Sequence, residues 1–427
     1  MGPTIARHDT QRTFGLAESL FALFLYAGAF KADPRLSWVL PYDLTVVAAI
    51  LACAAILSKW IRLRAPIPTT VWWMVMLFAM FIPALGLTEP TAYGIEKAQR
   101  FFTLTLFAAL GPFFLIDSVA ALRRLINALS LIGLIVALDG AYQLLTQSGL
   151  LRLTGFSTTT ITFGRIVALP FFWLLALSLS RQVVAGAAWI VGSMLAILLV
   201  ASGSKAPVAD TVLAIAALFL WPGQDRRLKR VLIASLCLAG FLIAWYGADL
   251  MPTGSRLRLE NSFQGDFGAS GSVRLDLAKE SWSYIRESPF GIGFGGLAAR
   301  SFGSAEGTDR RERRFSHNIL MESALEGGWA TGFYFALVLY ICIMSAGRQR
   351  MLVPNSPELC FLFLYLVFQS LGDIVSGELN DSKMLFTLMS IALLSRTWYK
   401  PQLSRLQPRP QTACAEAIHA DGCTCPR

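Results

Sequence analysis

The sequence predicts an all-α polytopic membrane protein with about twelve transmembrane helices and a large loop between the ninth and the tenth. Three observations carry the prediction. Of 427 residues, 55% are hydrophobic and only 15% charged, less charge than a soluble domain of this size carries. Apolar runs of about 16–22 residues recur along most of the chain, and that length crosses a bilayer core as a helix. Short segments of strand-like alternation are lacking, which argues against an outer-membrane barrel.

The runs follow in order. The first, 14–30, comes after a polar and basic stretch, 1–13. No A-x-A-like site follows it, so it is expected to remain as a span rather than leave as a signal peptide. The second, 42–59, contains Cys53 and runs into Lys59, Arg62 and Arg64. The third and fourth are 70–87 and 101–117. The fifth, 125–147, follows Arg123 and Arg124, and the sixth, 163–180, precedes Arg181. The seventh, eighth and ninth are 185–201, 206–222 and 231–249. Arg226, Arg227, Lys229 and Arg230 stand before the ninth and Cys237 inside it. The tenth, 318–347, contains Cys342 and is long enough to include a surface turn before it enters the membrane. The eleventh, 358–373, has Cys360 at its edge, and the twelfth is 384–397. The chain therefore divides into spans one to nine (1–249), a loop (250–317), spans ten to twelve (318–397) and a tail (398–427).

Thiols inside apolar runs act as small hydrophobes. Cys414, Cys423 and Cys425 share the tail with His419 in a spacing that matches no common zinc pattern, so no metal site is expected there.

Sidedness follows from the short loops. With the N-terminus in the cytoplasm, the cytoplasmic side collects 19 Lys and Arg, and the other side collects 8 outside the long loop. Both termini are therefore expected in the cytoplasm and the loop outside. The net charge of +10 then has two origins. Topology and anionic lipid account for the cytoplasmic charge. The loop's own cations, Arg256, Arg258, Arg274, Lys279, Arg286, Arg300, Arg310, Arg311, Arg313 and Arg314, run against the usual bias and point to an anionic substrate or lipid, not to nucleic acid.

Within the loop, residues 272–286 place Val273, Leu277, Trp282 and Ile285 near helical spacing, with Ser270 or Ser272 as a cap and Pro289 as a stop. "PFGIGFGG" (289–296) predicts a turn whose backbone approaches a ligand or a helix closely. No Gly-Lys-Ser/Thr follows, so it is not a P-loop. The plainer reading of the helix is an amphipathic segment lying on the membrane surface.

Of three histidines, His8 and His419 lie near the chain ends, and His317 alone faces outward. Nearby positive charge disfavours the imidazolium. A neutral imidazole can take a proton as a general base. The competing reading is an interfacial histidine that only caps or hydrogen-bonds. On the same side stand Lys205 in "SGSKAP" (202–207), Lys97 and Arg100 in "EPTAYGIEKAQR" (89–100), Arg165 closing "TGFSTTTITFGR" (154–165), and Glu378, Asp381 and Lys383 in "SGELNDSK" (376–383).

These residue types suit a donor that carries a lipid pyrophosphate and a sugar. Breaking the sugar–phosphate bond puts growing negative charge on the leaving group, which fixed Arg and Lys stabilise. The acceptor hydroxyl is a poor nucleophile and needs a base. No metal is required when the protein supplies the cations, and the outward loops show no Asp-x-Asp cluster.

"RLDLAKESWSYIRESPFGIGFGG" (274–296) and "SHNILMESALEGG" (316–328) together resemble the O-antigen ligase/polymerase superfamily of bacterial membrane glycosyltransferases. The resemblance implies a multi-helix fold of the GT-C kind in the inner membrane, with a large periplasmic loop. It implies glycan transfer from undecaprenyl pyrophosphate with no metal, nucleotide-sugar or other cofactor. By matching position, Arg274 takes the role of pyrophosphate contact and His317 that of acceptor activation. Lys205 stands where many relatives carry Arg, which weakens bidentate phosphate binding there. Arg165, Lys97 and Arg100 are expected to join the pyrophosphate site. Arg310, Arg311, Arg313 and Arg314 have no fixed counterpart and, with Asn318, are assigned to the acceptor.

The family divides by acceptor into ligases that modify lipid A-core, polymerases, and protein O-oligosaccharyltransferases. The basic loop favours a phosphorylated lipid A-core acceptor. The absence of a second long periplasmic loop and of an added C-terminal domain favours the ligase further. The alternative outside enzymes is a transporter of anionic lipid. Its usual inverted repeat and midplane ionisable residues are not found in the sequence.

Overall fold

The computed structural model describes residues 13–31, 33–35, 43–64, 66–146, 153–183, 185–221, 268–302 and 315–398. Every regular element among them is helical. The helices are α1 (Leu16–Phe30), α2 (Leu44–Leu63), α3 (Val71–Ala79), α4 (Ile82–Leu87), α5 (Ala92–Leu115), α6 (Val119–Thr146), α7 (Thr160–Leu179), α8 (Ala185–Ala201) and α9 (Lys205–Leu220). After the loop come α10 (Gly268–Glu287), α11 (Gly296–Phe302), α12 (Ile319–Gly327), α13 (Trp329–Leu352), α14 (Pro357–Ser376) and α15 (Lys383–Trp398). Six of them, α2, α5, α6, α7, α13 and α14, are long and apolar enough to cross a membrane. The run expected at 231–249 lies outside the described residues.

Capping residues set several of the boundaries. Asp43 accepts from the backbone N–H of Thr45 to start α2, Thr91 from Gly94 to start α5, and Ser356 from Leu359 to start α14. These side chains satisfy N–H groups that have no partner inside the helix. The third expected run, 70–87, is broken at Met80 and Phe81, and Pro83 occupies the first turn of α4. Proline has no N–H to donate backward but fits a helix start. The fourth run begins at Ala92, earlier than expected, because the polar face of 92–100 continues the same helix through a π-turn at Phe101–Thr105. The tenth run divides at Gly328, whose φ of 87° ends α12 and starts α13.

Burial orders the bundle. In α14 78% of the membrane-length window is buried and mostly apolar; in α2 the buried share is 22%. A helix hydrophobic all round belongs in the centre, and a half-buried apolar one faces lipid. α14 accordingly packs against α7, α9, α12, α13 and α15. Hydroxyls tie neighbours at close approach: Thr387 Oγ1 donates to the Ala108 carbonyl at 2.9 Å and Ser390 Oγ to that of Ala109 at 2.5 Å.

The two ends of the bundle carry different chemistry. At one end Lys59 and Arg124 bond to Glu18, and Arg123 to Glu358 and Gln182. At the other, Lys97 meets Glu322, Glu326 and Glu378. α5 joins them, since Lys97 lies near its start and the Leu115 carbonyl at its finish accepts from Lys59. At 1.5 Å per residue these two points are roughly 27 Å apart.

Candidate functional site

The site is built around the start of α12. Asn318 is the N-cap, its Oδ1 accepting from the N–H groups of Leu320 and Met321, both at 3.0 Å. Ser316 Oγ donates to the Asn318 carbonyl at 2.9 Å. This turn presents His317 with φ at 55°, the left-handed region that non-glycine residues rarely occupy. The ring is half-buried against Phe315, with 4.1 Å between centroids. Burial lowers the His317 pKa below its ordinary 6.5, and the positive charge of Arg274 lowers it further. Two residues far apart in the chain are thus close enough to act on one another, and the imidazole is held towards its neutral form. The direction is the one that the sequence leads one to expect, but the larger cause is burial and the named cation is Arg274.

Helix α10 brings Arg274 there. Arg274, Leu277, Ser281 and Ile285 fall at i, i+3, i+7 and i+11 on one face. Leu277 and Ile285 bury against Met321, Ala324 and Leu325 of α12. Arg274 continues that stripe and is half-buried, whereas Lys279 is 70% exposed and Arg286 is exposed. Of the three cations singled out on this helix, only Arg274 shares the face that packs on α12. Val273 and Trp282, the other two apolar residues near helical spacing, are exposed.

The glycine-rich turn holds α10 in place. Its backbone donates from Ile292 to the Leu325 carbonyl at 2.8 Å and from Gly293 to that of Glu326 at 3.2 Å. Phe294 donates to Thr88 Oγ1 at 3.0 Å, and its ring enters the aromatic core among Phe81, Phe101 and Phe102. Gly291 and Gly293 have φ of 89° and 77°. A Cβ at Gly291 would stand 2.4 Å from the Glu326 carbonyl oxygen, and one at Gly293 2.5 Å from the backbone of Leu87 and Thr88. The close backbone approach predicted for this stretch is made to helix ends.

The remaining cations have distinct surroundings. The sequence places Lys97 in the pyrophosphate site. Its side chain is 1% exposed, its ammonium hydrogen-bonds to Glu322, stands 2.5 Å from Glu326 and 3.9 Å from Glu378. The expectation that it meets phosphate is corrected accordingly: Lys97 braces α5 against α12 and the 377–382 turn. In that turn Glu378 accepts from Tyr93 Oη, and burial pushes its carboxyl up against the pull of Lys97. Asn318 is likewise placed as a helix cap, with its carbonyl oxygen already occupied. Arg165 on α7 pairs with Asp373 of α14 at 2.8 Å and donates to Ser376, with Asp210 of α9 against the same glycine, Gly372. Arg100 forms an i,i+4 pair with Glu96 at 2.7 Å on the helix surface. Lys205 is exposed at the first position of α9, with no ion pair among the described residues. A cation there opposes the helix dipole, an arrangement that an added anion relieves. Arg310, Arg311, Arg313 and Arg314 lie outside the described residues.

Sequence reasoning missed Glu322, Glu326, Asp373 and Asp210. Glu322 and Glu326 were legible as two acids at i,i+4 inside an apolar helix, a pattern that calls for a buried cation.

The fold and this site define a polytopic helical membrane protein that brings a histidine and an arginine together at one end of its bundle. The model of the O-antigen ligase family matches residues 190–336, from within α8 to within α13, and this third of the chain contains Lys205, Arg274 and His317. Over that third the chain is similar to the O-antigen ligase family, and the similarity supports an activity of the O-antigen ligase/polymerase type. No curated protein matches the chain.

Proposed function

We propose that the protein transfers O-antigen glycan from undecaprenyl pyrophosphate to a hydroxyl of lipid A-core oligosaccharide, at the periplasmic face of the inner membrane. The observation that carries this reading is the half-buried His317 whose protonation Arg274 opposes. In the reaction, the acceptor oxygen attacks the anomeric carbon and the bond from that carbon to the phosphate oxygen breaks. The hydroxyl proton passes to the free nitrogen of His317, and the electron pair leaves with the pyrophosphate. Arg274 and Lys205 stabilise the charge that develops there, where they gain more than with the intact donor. Arg165 and Arg100 are reserve cations at the same end, each already paired with a carboxylate. The arginines of 310–314 are assigned to the acceptor's phosphates on charge alone.

One assay tests the reading. Purified protein in liposomes receives radiolabelled lipid-linked glycan and lipid A-core. Label on lipid A-core is the expected product. A ladder of longer lipid-linked glycan would make the protein a polymerase, and labelled polypeptide after addition of an acceptor protein would make it an O-oligosaccharyltransferase. Movement of donor between leaflets without new glycan would replace the enzyme with a transporter.

A further inference from the structure

At the end of the bundle opposite His317, the start of α1, the finish of α2 and the start of α6 enclose a cavity of about 410 Å³. Its polar lining includes Glu18, Ser58, Lys59, Arg62 and Arg124. Glu18 is the carboxylate of this lining, and its Oε1 accepts three bonds: from Lys59 Nζ at 2.9 Å and from Arg124 Nε at 3.2 Å and Nη2 at 3.1 Å. Lys59 also reaches the Leu115 carbonyl and lies 3.6 Å from Asp117.

Arg124 is left with an unmet need. Its side chain is only 7% exposed, and Nη1 is buried with no hydrogen-bond partner among the described residues. Buried charged donors are costly to leave unpaired. Arg62 stands exposed at the rim, bonded only to the carbonyl of Ser58 and with no carboxylate partner among the described residues. α1 starts on Gly15, where a Cβ would stand 2.1 Å from Glu18 Oε2 and 3.1 Å from Arg124 Nε, so the Glu18 carboxylate lies over the helix start beside the same guanidinium. Arg124 Nη1 and Arg62 thus both lack an acidic partner among the described residues, and a species that would meet both is an anion with several oxygens.

The apolar surroundings select its source. Leu16 and Leu63 line the cavity and are exposed. From its mouth Ile61, Leu57 and Ile50 form an exposed apolar stripe along one face of α2, the least buried of the long apolar helices. A free phosphate would leave that stripe unused, whereas a phospholipid would lay its acyl chains on it. We propose that this cavity binds an anionic phospholipid, with the phosphate oxygens accepting from Arg124 Nη1 and Arg62 and the chains lying along Ile50, Leu57 and Ile61. The site is independent of glycan transfer and lies at the end of the bundle opposite His317.

The test uses the full chain, delipidated in detergent, and reads its melting temperature against added phosphatidylglycerol, phosphatidylcholine or inorganic phosphate. Phosphatidylglycerol is expected to stabilise the protein more than phosphatidylcholine. Arg62→Ala should require about tenfold more phosphatidylglycerol for half-maximal effect, the loss of one charge-assisted contact. Ser58→Trp, which fills the cavity and removes no charge, should abolish the difference between the lipids, and His317→Ala should retain it. Equal stabilisation by the two lipids, or an undiminished response in both Arg62→Ala and Ser58→Trp, would overturn the proposal. Inorganic phosphate matching the lipid would overturn the lipid assignment. Should Ser58→Trp fail to fold, native mass spectrometry of co-purified phosphatidylglycerol decides: loss in Arg62→Ala supports the site, and equal retention refutes it.

Discussion

His317 stands one residue ahead of a helix cap, in a backbone conformation that holds its ring against Phe315 and within the field of Arg274. As the proposed base it must be neutral to act. Its lowered pKa means that kcat/KM holds down to a pH below 6.5 and falls as pH drops through the depressed value. His317→Ala should lose about 10²–10⁴-fold in transfer while keeping the wild-type melting temperature; near-normal turnover would remove the residue from the mechanism. Arg274→Gln removes the charge that opposes protonation, so the acid limb should move to higher pH while burial still keeps it below 6.5. An unmoved limb would separate the two residues. Lys97 belongs to stability instead. Lys97→Met leaves Glu322 and Glu326 buried without a cation, which costs about 3–5 kcal/mol, read as a lowered melting temperature before any change in donor affinity.

Among the elements, the glycine-rich turn is the one on which the site geometry depends most. It joins the end of α10 to the α12–α13 break and sends Phe294 into the aromatic core. Gly293→Ala puts a Cβ against backbone that cannot yield. It should lower both transfer and melting temperature, and a variant with normal values of both would show that the turn relaxes freely. The helical face 273–285 was legible in the spacing of its apolar residues. Which half of it packs was not, because Val273 and Trp282 are as apolar as Leu277 and Ile285, yet only the latter meet α12. The expected single span at 318–347 divides because Gly328 adopts a positive φ that allows the Trp329 N–H to donate to the Pro289 carbonyl. Composition alone could suggest such a turn without locating it.

At the scale of the whole molecule, the basic residues Lys59, Arg123 and Arg124 gather at one end and the His317 site at the other. The proposed topology puts the first end in the cytoplasm. In a cysteine-free background, Lys279→Cys should then react with an impermeant maleimide in intact spheroplasts, and Arg62→Cys only after lysis. The reverse pattern would invert the orientation and remove the periplasmic assignment. The similarity to the O-antigen ligase family covers residues 190–336, yet the ion pairs and hydrogen bonds around the site reach well beyond them, to Tyr93, Lys97, Arg165, Asp373 and Glu378.

Hydrophobic run length and the distribution of Lys and Arg are properties of consecutive residues, so the sequence by itself determined the membrane class and most of the described helices, and it named Arg274 and His317 as candidates. Pairing across the bundle is a property of space. Only the tertiary structure decided that Lys97 is enclosed by carboxylates, that Arg165 faces Asp373, and that Asn318 is a cap. A buried charge takes whichever partner the packing brings within a few ångströms, and that partner stands more than two hundred residues away in the first two cases.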